Sequence, residues 1–144
     1  MRNCSFDADN GAGLVEGQDL VIDCSDSFET RYAVNAACCE AGVNLIEGGV
    51  VGWTGMVMTI RPGQTSCYRC AFPVEPVDAP TCAEAGVLGP AAGLVGSLMA
   101  LEALKLMAGA SAPLRNEFLQ IDLATLEFMR VNVMPRRECP DCSE

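Results

Sequence analysis

At 144 residues, half of them hydrophobic and 19% charged, the chain has enough material for one domain with a real core and is too apolar to be disordered. Its formal net charge of −10 argues against nucleic acid as a partner, because phosphate contacts need a basic face. It contains no histidine, which excludes Ser-His-Asp and Cys-His catalysis and any His-ligated metal, so the chemistry falls to Asp, Glu, Cys, Lys, Arg or backbone groups.

Residues 1–18 are polar and Gly-rich and read as an irregular lead-in to a domain over 19–144. They carry no apolar stretch of the signal-peptide kind. Together with an odd number of cysteines, nine, this suits a reducing, cytoplasmic setting with metal-bound and free thiols. Asp19 to Cys24 reads as a short buried strand of the parallel-sheet type. Ser25 and Asp26 are natural N-cap residues, and a helix is expected from Ser27 to Ala41, ended by Gly42. An acidic residue at the carboxyl end of a strand stands where ligands bind in open α/β sheets. On the residues alone, however, Asp26 is a helix cap. Arg31 and Asn35, four apart, share a face of that helix; a surface ion pair is the plain expectation for Arg31.

Val43 to Ile46 is the next expected strand, and a Gly-bounded turn at 50–55 leads to a return strand from Met56 to Ile60. Pro73, Pro76 and Pro80 make 71–81 an extended loop, with Cys82 directly after it. The run from Ala85 to Leu101 has no charge, but it holds Pro90, Gly93 and Gly96 and is shorter than the roughly 20 residues that cross a bilayer. A buried core helix from Pro90 to Gly109, not a membrane span, is expected. Glu102 and Lys105 read as a surface or interface pair on it, and the Gly and Ala residues of 86–96 suit a close helix contact such as a dimer interface. Phe118 to Leu123 and Leu126 to Val133 complete the pattern as two strands joined at Ala124-Thr125. The fold class is α/β, with a parallel part continuing into antiparallel strands.

Two Cys-x-x-Cys knuckles, Cys67/Cys70 and Cys139/Cys142, have the spacing at which four thiolates hold one tetrahedral zinc. Disulfides, free buried thiols and a redox pair are the other readings. Cys24, Cys38 and Cys39 lie in apolar surroundings and read as small core residues, as do Met56, Met58, Met99, Met107, Met129 and Met134.

The order of Asp23-Cys-Ser-Asp-Ser-Phe-Glu-Thr-Arg31, Asn35, Gly-x-x-Gly at 52–55, Cys67-Tyr-Arg-Cys-Ala-Phe-Pro73, Cys82-Ala-Glu-Ala-Gly-Val-Leu-Gly-Pro90, Glu102-Ala-Leu-Lys105 and the final knuckle resembles the ThiF/MoeB/HesA family over about 19–142. That resemblance implies ATP- and magnesium-dependent adenylation of the C-terminal glycine of a ubiquitin-like sulfur carrier, in thiamine or molybdopterin-type sulfur transfer. It implies a structural zinc and a homodimer, or an assembly with a nucleotide-binding half. It makes Asp26 the magnesium ligand, places Arg31 and Asn35 near the nucleotide or the incoming carboxyl terminus, and gives Cys82 a possible covalent link to the activated carrier. Family members are near twice this length, and their Gly-rich nucleotide loop, acidic ribose-binding residue and phosphate-contacting cations are not found here; Gly11 and Gly13 do not follow a strand. The chain therefore looks like the C-terminal half, with the sulfur donor expected to be a separate protein. A non-catalytic, zinc-stapled carrier-binding module is the alternative.

Overall fold

We describe a computed structural model of the chain over residues 4–76, 82–110 and 113–143, without the side chains of residues 82 and 83. In chain order the elements are α1 (Gly11–Val15), β1 (Leu20–Asp23), α2 (Phe28–Ala41), β2 (Asn44–Val51), β3 (Thr54–Ile60), α3 (Tyr68–Ala71), α4 (Cys82–Ala85), α5 (Gly89–Met107), β4 (Glu117–Asp122) and β5 (Glu127–Asn132). The five strands form one sheet in sequence order. β1 and β2 are parallel, joined by α2, and every later pair is antiparallel.

Alternation along β2 and β3 puts a core on each face of the sheet. Leu45 and Met58 point toward α2 and bury with Tyr32, Val34 and Cys38. Ile46 and Val57 point the other way and bury with Val95, Met99 and Ile121 under α5. Full burial of each such side chain is worth about 1.5–3 kcal/mol. Gly48 and Gly49 let the helices approach closely: a Cβ on Gly48 would stand 2.2 Å from Met99 Sδ, and one on Gly49 would stand 2.9 Å from Arg31 Nη1. The β2–β3 hairpin closes through Gly52 and Trp53, and Gly52 takes the positive φ (56°) that so short a turn needs at its first position.

Several expectations are corrected. The lead-in is not wholly irregular: α1 buries Val15 in the core that α2 shares. Asp26 is not the cap of α2. Ser27 is, its hydroxyl accepting from Thr30 N at 3.0 Å, and Gly42 ends the helix at φ 68°. The helix at 89–107 is buried along one face only; Leu101, Leu104 and Met107 stand exposed on it. By length and composition α5 could cross a membrane, but its packed face lies on β2 and β3. That face carries Glu102, which is buried and not a surface residue. Its carboxylate accepts from Thr59 Oγ1 (2.9 Å), Leu114 N (2.7 Å) and Lys105 Nζ (2.6 Å), tying the end of α5 to β3 and to the approach to β4. Met58 and Met99 are core residues, but Met107, Met129 and Met134 are exposed, as is Cys24. In the Pro-rich loop, residues 77–81 lie outside the described part, so the expectation of an extended chain bears only on Phe72 to Pro76.

Candidate functional site

β1 ends at Asp23, and the chain turns sharply before α2. The turn is built by side chains. Asp23 accepts from Ser25 N (2.8 Å) and Ser25 Oγ (3.2 Å), while Arg31, one turn into α2, donates from Nη2 to Ser25 O (2.6 Å). Ser27 then starts the helix. Between these fixed points Asp26 is exposed, and no hydrogen bond engages its carboxylate among the described residues. It lines two cavities, of about 560 and 340 Å³, which also share Arg31, Gly49 and Val50. The larger has an apolar wall of Met56, Tyr68, Phe72 and Phe118, and carboxylates at Glu29 and Glu75. The smaller runs under α5 past Cys24, Val87 and Met99.

Arg31 reaches this place but not as a free cation. It is buried, donating from Nη1 to Glu47 and to Gly48 O (2.9 Å), so the surface ion pair of the sequence reading is an interior one. Glu47 sits opposite Asp23 in the β1–β2 register and is wholly inaccessible. Burial, then the Asp23 charge, push its carboxyl well above the usual range, against the pull of Arg31. Its Oε2 has no hydrogen-bond partner among the described residues. Glu47 was missed in the sequence, although a lone carboxylate in the apolar run Leu45-Ile46-Glu47 is itself a signal, since a buried charge needs a partner.

Arg31→Met should therefore lower stability by about 3–5 kcal/mol, as expected when one partner of a buried pair is removed. The loss should grow as pH rises. Without Arg31, the folded form holds a proton on Glu47 that the unfolded chain releases near 4.5, so raising pH above that value penalises the folded form. Denaturant melts at pH 5 and pH 8 would show this; an equal loss at both would count against the pairing.

The two knuckles meet. α3 begins inside the first, and the sulfurs of Cys67, Cys70, Cys139 and Cys142 all lie within 4.8 Å of one another. The separations are 3.9 Å for Cys67–Cys70 and 3.5 Å for both Cys67–Cys139 and Cys70–Cys142. Four sulfurs around one zinc at about 2.3 Å stand about 3.8 Å apart, so the set fits a tetrahedral ion. Cys39 of α2 packs beside them. The nearby Cys39 thiol, helped by Cys142 and Asn35, pulls Cys67 down to about 5 despite burial. Cys38, one residue earlier, is pushed by burial up to about 12 and is a core residue.

Asn35 is not at the cavities. It is fully buried on the knuckle side of α2, where Oδ1 accepts from Tyr68 N (2.9 Å) and Nδ2 donates to Asp141 Oδ2 (2.7 Å). Of the two residues expected near the nucleotide or the incoming carboxyl terminus, Arg31 lines the cavities and Asn35 lies between the knuckles. Cys82 opens α4, but its side chain lies outside the described part, and so does the test of its role.

A family model described as the ThiF family matches residues 2–143. The chain belongs to the ThiF family. Among curated relatives, a protein of Thermus thermophilus named sulfur carrier protein adenylyltransferase is 38% identical, across 95% of this chain and 53% of its own length. The molybdopterin-synthase adenylyltransferase of Escherichia coli is 35% identical, across 99% of this chain and 57% of its own. The chain spans about half the length of the curated relatives it matches. Among solved structures, Escherichia coli MccB with ATP superposes with a TM-score of 0.80 at 21% identity, across 98% of this chain and 44% of that one, a likeness of fold. The match to the ThiF model includes residues 2–18.

Proposed function

We propose that this chain carries the acceptor side of a ThiF-type adenylyltransferase, acting on the C-terminal glycine of a ubiquitin-like sulfur carrier. One observation carries the reading: Asp26, whose carboxylate takes no hydrogen bond among the described residues, stands on a turn that Asp23 and Arg31 fix through Ser25 at the carboxyl end of β1, beside a cavity with an apolar wall. In the reaction an oxygen of the carrier's terminal carboxylate bonds to the α-phosphorus of ATP, and pyrophosphate leaves with the bonding pair. Asp26 is the hard oxygen ligand that would hold magnesium, whose charge offsets that of the phosphates. The wall of Met56, Tyr68, Phe72 and Phe118 suits an extended peptide tail. The four cysteines would hold zinc in a closed structural site. The exposed ridge of Leu101, Leu104 and Met107 on α5 offers a face for a second copy or for a nucleotide-binding half.

The alternative is a module that binds the carrier without chemistry. Arg31 is the one cation lining either cavity among the described residues, and Glu47 occupies it, while Asp26, Glu29 and Glu75 are acidic. A triphosphate gains little there. Calorimetry on this chain alone should accordingly show ATP binding weaker than about 1 mM, a binding free energy of less than about 4 kcal/mol. Micromolar binding would mean that other residues make the nucleotide site. Pyrophosphate exchange, run with the carrier and with and without a supplied nucleotide-binding half, tests the function: exchange only with both parts supports the adenylyltransferase, and none under either condition favours the binding module.

A further inference from the structure

We propose that Asn35 and Asp141 are positioning residues for the four cysteine sulfurs, and that α2 thereby joins the metal site to the Asp26 turn. This rests on reading the cysteine cluster as a zinc site. A single buried amide meets both knuckles: Oδ1 receives Tyr68 N, the residue after Cys67, and Nδ2 reaches Asp141, the residue before Cys142. Asp141 Oδ2 takes a second donor, Arg69 Nε at 2.8 Å, so residues inside both knuckles are joined across the site. Arg69 lies over the Tyr32 ring, 4.3 Å from its centroid, and Tyr32 donates to Phe72 O at 2.7 Å, where the cavity wall and the Pro-rich loop begin. Four residues before Asn35, on the same helix, Arg31 holds Ser25 O. The helix that clamps the knuckles is therefore the helix that fixes the turn bearing Asp26.

Hydrogen-bond partners of metal ligands hold the ligands in place, and removing one typically costs about 10–100-fold in metal affinity. Zinc-loaded chain would be mixed with a chromogenic chelator and the release rate followed, with cobalt(II)-substituted protein read by its thiolate charge-transfer and d–d bands. Asn35→Ala and Asp141→Asn should each release zinc roughly 10–100-fold faster and shift the cobalt bands. Combining them should cost less than the product of the single effects, because the two share one hydrogen bond. Glu40→Ala, exposed on the same helix, should release zinc as wild type does. Asp141→Asn keeps the size and shape of the side chain and gives a reading even if Asn35→Ala does not fold. Zinc-loaded variants with wild-type release rates and cobalt spectra would overturn this assignment alone. Wild-type chain that neither carries nor takes up zinc would overturn the zinc reading, and this one with it.

Discussion

In the assembled enzyme, Asp26→Ala should abolish pyrophosphate exchange, by about 10³-fold or more, while the chain melts within about 1 °C of wild type. Both halves of that expectation follow from the local structure. The carboxylate takes no part in holding the turn: Asp23 and Arg31 hold Ser25, and Ser27 caps α2. A residue that supports no hydrogen bond can be truncated with little loss of stability. On the proposed reading, what would be removed is the hard anionic ligand for magnesium, whose neutralisation of phosphate charge is worth several kcal/mol, and each 1.36 kcal/mol is tenfold in rate. Asp26→Asn should recover little, because a neutral amide is a poor magnesium ligand. Exchange near wild-type rates in Asp26→Ala would reduce this residue to a cavity-lining side chain.

Removal of the metal should have the largest effect on stability. Zinc held by four thiolates contributes on the order of 10 kcal/mol of apparent free energy at neutral pH in small folded units, comparable to the whole stability of a domain. Here the sulfurs come from two knuckles that are also tied to each other through Asn35, Asp141 and Arg69. Cys139→Ser, or a strong chelator, should lower the melting temperature by more than 10 °C, and elemental analysis should find one zinc per chain before treatment and none after. Acid should act in the same direction. Metal binding requires thiolates, yet burial raises Cys139 and Cys142, so protons compete with zinc and apparent affinity falls as pH drops. A chain purified without chelator that holds no metal, or a Cys139→Ser variant that melts like wild type, would end the zinc reading.

The elements that obey one period or carry a strong punctuation residue were legible in the sequence. β1 shows as an unbroken apolar run, α2 is closed by Gly42, and the β2–β3 turn is marked by Gly52. The knuckles were legible because ligand spacing is a covalent fact of the chain, and no fold is needed to see it. What remained hidden depends on which face of an element meets what. Glu102 and Lys105 look like an ordinary exposed pair at i, i+3; only the packing of α5 on β3 reveals that Thr59 and Leu114 N need that carboxylate. Arg31 and Asn35 share a helix face by spacing, yet they serve different sites, because the sheet edge lies beside one and the knuckles beside the other. Capping at Ser27 instead of Asp26 was a one-residue matter of backbone angles, and propensity does not separate such neighbours.

Strand order equals strand sequence in this sheet, so each strand can pair with the one made just before it. Pairing is local except at β3–β4, where Thr54 meets Asp122 across α5, and local pairing favours rapid assembly during synthesis. The sulfur site is as long-range, since Cys67 and Cys139 meet across 72 positions. On a ribosome the first knuckle would thus leave the tunnel and wait, two thiols exposed, through the growth of α5, β4 and β5. Zinc captured at that stage could be held by only two sulfurs, and full coordination comes only when the second knuckle arrives. The ion would then act as a late checkpoint on biosynthesis, and cells short of zinc would accumulate chains with a finished sheet and an unclosed terminus.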